Sequence, residues 1–256
     1  RDILKSQGRK VGMIGTVQYE LGNRVVPANR TTPSPLELQA YFAEMVEAGV
    51  EVAVMEVSSH ALHQGRVGGA RFDVAVFSNL TQDHLDYHQT MEEYYQAKKL
   101  LFTRHLWPDG VAVLFADDDY TKRLRTELDA ARAAGTWRGR LLSYGYTDGA
   151  ELHVKQGKES IAGTDLVVTL GQEMLQLTST LVGRYNVANV LAAFGATVYL
   201  GVPTRAAALT IAQFAGVPGR LQRVAAVLES DDLEMLATND VYWDEIVGIE
   251  SLGEMD

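Results

Sequence analysis

Two apolar runs, V-A-V-M-E-V at 52–57 and F-D-V-A-V-F at 72–77, each break into a burst of polar groups. The first leads into Glu56, Ser58, Ser59, His60 and His63, and the second into Asp83, His84, Asp86 and His88. A carboxylate and an imidazole at neighbouring strand ends, Glu56 and His84, suit a divalent cation that also carries phosphate oxygens. The plainer reading makes Glu56 a helix cap and His84 a hydrogen-bonded loop histidine. The run D-H-L-D-Y-H also has the side-chain types of a dinuclear metal hydrolase, with His60 and His63 as further ligands. Lys98 falls by helical period near Tyr94, Tyr95 and Phe102. A buried lysine in such a place can be a nucleophile or be modified, but spacing alone favours a surface lysine with a covered stem. Asp117, Asp118 and Asp119 follow another apolar run and read as a helix cap with dipole-favoured carboxylates.

Positioning these groups requires strands that are apolar on both faces, as in a parallel sheet covered by helices. Ligands of such sheets bind outside the carboxyl ends of the strands. Strands are predicted at Lys10–Thr16, Val50–Val57, Arg71–Ser78, Gly110–Ala116 and Leu141–Tyr146. Helices are predicted at Leu36–Ala48, Thr90–His105, Tyr120–Ala134 and Asn186–Leu200. Thr32 or Ser34 would cap the first of these and Gly49 would stop it. A last helix starts from Thr204 as its cap and runs to about Phe214. Gly22–Thr32 reads as a polar loop. From Glu151 to Thr180 the pattern alternates, as in antiparallel β structure added to the parallel sheet. Arg1–Gly8 reads as a helix end, which leads to the expectation that a segment precedes it.

The 256 residues are 46% hydrophobic, enough for a substantial core, and contain no cysteine. Disulfides and thiolate metal sites are therefore excluded. The ten acids of residues 225–256, with no Lys or Arg among them, equal the whole excess of 33 acids over 23 bases. Residues 1–224 are formally neutral, which gives no basic footprint for nucleic acid. The abrupt shift places a boundary near Val224, with an acidic tail beyond it. No apolar stretch reaches the roughly 18 residues of a membrane span.

The motifs taken in order carry a resemblance. They are G-T at Gly15–Thr16, T-T-P at Thr31–Pro33, M-E-V-S-S-H-A-L at Met55–Leu62 and N-L-T-Q-D-H-L-D-Y-H at Asn79–His88. Y-Y-Q-A-K-K-L-L-F at Tyr94–Phe102, A-D-D-D at Ala116–Asp119, G-R-Y-N-V-A-N at Gly183–Asn189 and G-R-L-Q-R-V at Gly219–Val224 follow. Over residues 1–224 this order resembles the central domain of the Mur ligases. It is most similar to the branch that adds a diamino acid to UDP-N-acetylmuramoyl-L-alanyl-D-glutamate. The resemblance implies an α/β fold related to P-loop NTPases and ATP-dependent amide ligation through an acyl phosphate. It further implies a cytoplasmic, monomeric enzyme of peptidoglycan synthesis that takes meso-diaminopimelate or lysine. It implies that Lys98 is carbamylated and holds Mg²⁺, and that Glu56 and His84 ligate Mg²⁺ on the ATP phosphates. It implies that Thr31, Thr32, Ser58, Gln64 and Arg66 hold the UDP-muramoyl dipeptide, and that Asn186 and Arg220 face ATP.

Two features depart from the family. The phosphate-cradling pattern G-x-x-x-x-G-K-[ST] occurs nowhere in the sequence. The expectation is that the chain by itself does not ligate, and a non-catalytic remnant that binds the UDP-peptide is the alternative. After Arg223 the family pattern gives way to the acidic stretch. Its segment N-D-V-Y-W-D-E-I-V-G-I-E-S-L-G-E is similar to a region near the end of inteins, without the residues splicing needs.

Overall fold

The computed structural model describes residues 1–81, 85–216 and 246–251. Its centre is a single 11-stranded sheet. In chain order the strands are β1 (Val11–Ile14), β2 (Gln18–Glu20), β3 (Val25–Pro27), β4 (Val52–Val57), β5 (Phe72–Phe77) and β6 (Leu106–Phe115). They continue with β7 (Arg140–Gly145), β8 (Leu152–Ser160), β9 (Gly163–Leu170), β10 (Glu173–Ser179) and β11 (Ile246–Ser251). Their order across the sheet is β10-β9-β8-β7-β6-β5-β11-β4-β1-β2-β3. β1 and β4 pair in parallel, as do β5 through β8 in sequence. β2–β3 and β9–β10 extend the two ends antiparallel. The expected parallel body with antiparallel additions is what forms.

The helices are α1 (Asp2–Lys5), α2 (Pro35–Glu47), α3 (Ser59–His63), α4 (Leu85–His88), α5 (Met91–Leu100), α6 (Asp119–Ala133), α7 (Arg184–Tyr199) and α8 (Thr204–Gln213). They cover both faces, because alternate residues of the central strands point to opposite sides. Met55, Val57, Ala75, Phe77 and Leu114 join Leu38, Phe42, Tyr94 and Leu124 in one core. Val74, Val76, Val113 and Leu142 join Leu4, Leu191, Phe194 and Ile211 in the other. That double coverage is why these strands read as continuous apolar runs. Among the described residues no helix is long and apolar enough to cross a membrane.

Several sequence expectations are corrected. The stretch predicted as a polar loop contains β3, since Val25 and Val26 pair with Glu20 and Tyr19 of β2. Pro27 is tolerated there because β3 is an edge strand. Ser34, not Thr32, caps α2: its N–H donates to Glu37 Oε2 at 3.0 Å. Gly49 does stop that helix, in the left-handed region at φ 72°, where a Cβ would be disfavoured. The predicted helix to His105 ends at Leu100 and widens into a π-helical turn, Leu101–His105. α8 begins on Thr204 itself, with Pro203 in the cap position. β4 and β5 are not neighbours, because β11 lies between them and pairs antiparallel with both.

Candidate active site

The chemistry-bearing residues gather at the carboxyl ends of β1, β4, β5 and β6. β4 ends in Glu56, half-buried. Its Oε2 accepts from the Thr16 N–H at 2.9 Å and from Thr16 Oγ1 at 2.5 Å. Thr16 is placed there by β1, and its hydroxyl lies 3.1 Å from that of Thr31. Gly15 matters for closeness: a Cβ on it would stand 3.3 Å from Glu56 Oε1.

Thr32 is fully buried. Its Oγ1 donates to the Glu56 carbonyl at 3.0 Å and accepts from the Ser58 N–H at 3.1 Å. It thus ties the loop before α2 to the end of β4, and its hydroxyl is committed to backbone. Thr32→Val keeps the shape and takes a hydrogen-bond partner from two part-buried backbone groups. Its expected cost is about 1–3 kcal/mol, read as a lowered urea midpoint with an unchanged denaturant slope.

Ser58 caps α3, accepting from the Ala61 N–H at 3.2 Å. Just beyond, Gln64 Oε1 accepts from Arg66 Nε at 2.9 Å and Nη2 at 2.6 Å. Arg66 Nη1 also reaches the Thr32 carbonyl at 3.2 Å. Tyr87 of α4 is a hub that sequence reasoning passed over. Its hydroxyl lies 3.1 Å from Gln64 Nε2 and 2.9 Å from His63 Nδ1, and its ring packs against His60. The available signal was its place inside D-H-L-D-Y-H. His88 is buried, with Nε2 2.8 Å from Ser59 Oγ. Asp86 is exposed. Asp83 and His84 lie outside the described residues, as does Arg220. Among the described residues no group of three or more His, Asp or Glu could hold a metal ion.

Lys98 corrects the reading from spacing. It is 1% exposed, so it is no surface lysine. Its Nζ donates to the Asn79 carbonyl at 3.1 Å, beyond β5, and lies over the rings of Tyr94 and Phe77. Tyr94 is one helical turn earlier on α5, so the helix carries both the ammonium and part of its cover. Asn79 Oδ1 and Thr81 Oγ1 are buried without a hydrogen-bond partner among the described residues. Together with the Glu56 carboxylate they are oxygen donors of the kind a hard divalent cation takes.

Asp118 links two strand ends. Oδ1 accepts from the Thr121 N–H at 2.9 Å and Oδ2 from the Leu80 N–H at 3.2 Å. It caps α6 as the sequence suggested, and it also fastens the loop after β5. Burial raises its pKa, opposed by those N–H donors and by Lys98. The native state therefore holds this proton more tightly than the unfolded chain. Lowering the pH through the raised value favours the fold at this group. Asp118→Asn should remove that acid dependence while keeping most of the cap. Asp118→Ala should cost about 1–2 kcal/mol. Urea titrations at two pH values check both. Asp117, by contrast, accepts from the Tyr146 N–H at 2.8 Å and ties β6 to the end of β7.

Asn186 is half-buried near the start of α7, and its Nδ2 donates to the Val182 carbonyl at 2.8 Å. The structure thus unites Thr16, Thr31, Thr32, Glu56, Ser58, Gln64 and Arg66 in one bonded network. Beside it Lys98 bonds the Asn79 carbonyl and Asp118 the N–H of the adjacent Leu80.

The chain has relatives among known proteins. Over 238 residues the chain is 42% identical to the UDP-N-acetylmuramoyl-L-alanyl-D-glutamate–2,6-diaminopimelate ligase of Gloeobacter violaceus, covering 92% of this chain and 45% of that protein. The ligase of the same name from Bacillus cereus is 40% identical over 228 residues, covering 87% and 45%. A solved structure of a ligase of that name superposes with a TM-score of 0.76 at 30% identity, over 88% of this chain and 45% of the other. UDP-N-acetylmuramate-alanine ligase from Thermotoga maritima shares the fold, with a TM-score of 0.58 at 18% identity over 90% and 44%. The chain spans about half the length of the curated relatives it matches. The Mur ligase middle domain matches residues 1–197, and the chain belongs to the Mur ligase family.

Proposed function

We propose that these residues serve ATP-dependent amide ligation, joining a diamino acid to the glutamyl carboxylate of UDP-N-acetylmuramoyl-L-alanyl-D-glutamate. The observation that carries this reading is Lys98, a buried lysine held at the strand ends within a chain of this family. A lysine Nζ that takes up CO₂ becomes a carboxylate, and the enclosure by Tyr94, Phe77 and the Asn79 carbonyl suits holding it in one place. Glu56, carbamylated Lys98, Asn79 and Thr81, with His84, would hold Mg²⁺. The ion would supply charge screening between the carboxylate and the ATP phosphates.

The chain's own groups do the positioning. Thr31, Ser58, Gln64 and Arg66 present hydroxyl, amide and guanidinium groups to the UDP-muramoyl dipeptide, while Thr32 sets their spacing. Asn186 would face ATP, as would Arg220, which lies outside the described residues. The γ-phosphoryl group passes to the glutamyl carboxylate, giving an acyl phosphate and ADP. The amine of the diamino acid then attacks the acyl carbon and phosphate leaves. We place the catalytic body at residues 1–224 and treat residues 225–256 as additional to it, in an enzyme that acts in the cytoplasm.

A ligation assay with UDP-dipeptide, ATP and meso-diaminopimelate or lysine, run beside calorimetry with the UDP-dipeptide, tests the proposal. Amide product supports it and overturns the expectation, drawn from the missing phosphate-cradling pattern, that the chain by itself does not ligate. Binding without product favours the second reading, a module that holds the UDP-peptide without turnover. That reading draws on the absence of the phosphate-cradling pattern from the sequence. Neither binding nor product sinks both.

A further inference from the structure

Gln64 bonds to partners of opposite kind at its two ends, and that fixes which way each nearby hydrogen bond runs. Arg66 has N–H donors and no acceptor. Its Nε and Nη2 lie 2.9 and 2.6 Å from Gln64 Oε1, so the amide turns its oxygen to the guanidinium. Gln64 Nε2, at the other end of the amide, donates to the Tyr87 hydroxyl at 3.1 Å. That oxygen accepts, and keeps one proton of its own to give. His63 Nδ1, 2.9 Å away, can take it. A proton already on Nδ1 would aim two donors at the tyrosine oxygen and leave its hydrogen without an acceptor.

Tyr87 is held for this place. Its helix α4 is anchored by the buried His88, whose Nε2 is 2.8 Å from Ser59 Oγ and whose ring stacks on Tyr94 at 4.9 Å. The chain leaves α4 through Gln89, at φ 58° the one non-glycine residue in the left-handed region among the described residues. Such a conformation persists only where the surroundings over-determine it. The Tyr87 ring itself lies 4.0 Å from that of His60. His63 and Gln64 are exposed, and water can replace a hydrogen bond at an exposed group with little net loss of stability. What the bonds supply is order: the amide of Gln64 is kept from turning over and releasing Arg66.

We propose that Tyr87 is a positioning residue of the UDP-peptide site. It sets a one-way chain of donors from Arg66 through Gln64 to His63, and it makes His63 Nε2–H a further donor to the ligand at the end of that chain. The proposal rests on the assignment of Gln64 and Arg66 to the UDP-muramoyl dipeptide. Three of the five Arg66 N–H groups are used by Gln64 and the Thr32 carbonyl. Two remain, with one on Gln64 Nε2 and one on His63 Nε2. The capacity left at these three residues is therefore donor capacity, which suits the acceptor oxygens of a carboxylate or a diphosphate.

Tyr87→Phe keeps the ring and its packing and removes the link. Nitrogen-15 spectra at about pH 9, where imidazoles are neutral, read the tautomer of His63, its signals identified by their loss in His63→Ala. The expected result is a proton on Nε2 alone in the unchanged chain and a mixture of both tautomers in Tyr87→Phe. A hydroxyl that only packs would leave the tautomer as it was. Should Tyr87→Phe fail to fold, Gln64→Glu serves. Its carboxylate still accepts from Arg66 but has no N–H for Tyr87, so the hydroxyl can donate to it and His63 should show the same mixture. A proton on Nδ1 in the unchanged chain, or no change of tautomer in the variant, overturns the chain of donors. Calorimetry with the UDP-dipeptide reads the consequence. Kd should rise about tenfold in Tyr87→Phe and in His63→Ala, the worth of one hydrogen bond, with urea midpoints nearly unchanged. An unaltered Kd in both overturns the positioning role. Absence of binding by the unchanged chain removes the UDP-peptide reading, and the ligand role of His63 with it, while the tautomer still decides whether Tyr87 sets the order of donors.

Discussion

Lys98→Met should make the fold more stable and abolish ligation. The two effects come from one fact, that an ammonium is buried where the packing is apolar. Tyr94, Phe77, Tyr95 and Leu101 are all buried around that stretch of α5 and β5. Met has nearly the volume of the lysine stem and no charge to desolvate. Replacing a buried charge by a hydrophobe of similar size is often neutral or stabilising by about 1–4 kcal/mol. Packing alone gives no reason for a lysine at this position. The carbamate reading supplies the reason, because a lysine that has taken up CO₂ carries a carboxylate toward a cation. The expected result is a raised thermal midpoint in Lys98→Met with ligation lost. A ¹³C resonance of a carbamate, present in the unchanged chain under labelled bicarbonate, should be missing from the variant. Lys98→Ala should also be inactive, but less stable through its cavity, and added acetate should restore part of its activity. An active Lys98→Met, or an unlabelled Lys98, removes the carbamate from the mechanism.

The sequence shows the strand ends and leaves their connections hidden, for physical reasons. A strand covered on both faces must be apolar, so β4, β5 and β6 are visible as runs. Their polar ends mark the functional edge for the same reason. The spatial order of strands is set by hydrogen bonds between segments far apart in the chain. Nothing local in I-V-G-I-E-S says that it lies between β4 and β5. Lys98 was misread by spacing because helical period gives a face, and cannot say whether that face meets solvent or another strand end. The burial of Lys98 at a strand end corrected what period could not. Thr32 shows the opposite case. Its motif suggested ligand contact, while its hydroxyl is spent on the Glu56 carbonyl and the Ser58 N–H. Such second roles are invisible in a motif, because they depend on which backbone groups would otherwise be orphaned.

Glu56 offers the sharpest separation between architecture and chemistry. As an architectural residue it joins β1 to β4 through the two donors of Thr16. A glutamine amide oxygen can accept from both donors, so Glu56→Gln should leave the urea midpoint nearly unchanged. As the metal ligand proposed, it would contribute charge, and the amide cannot. Residues that merely orient a metal ligand typically cost 10–100-fold on mutation, so loss of a ligand's charge should cost at least about 100-fold in ligation at low Mg²⁺. Raising the Mg²⁺ concentration should recover much of kcat in Glu56→Gln, since the carboxylate's work is to lower the concentration needed. Glu56→Ala should lose stability as well, because Thr16 then keeps its donors without their acceptor. Gly15→Ala adds a third arm. Its Cβ would press on the Glu56 carboxylate from 3.3 Å without altering any charge. Displacement of a few tenths of an ångström should then move the Mg²⁺ dependence in the same direction as Glu56→Gln, and by less. If Glu56→Gln ligates like the unchanged protein at every Mg²⁺ concentration, Glu56 is a tie between strands and the cation is held elsewhere.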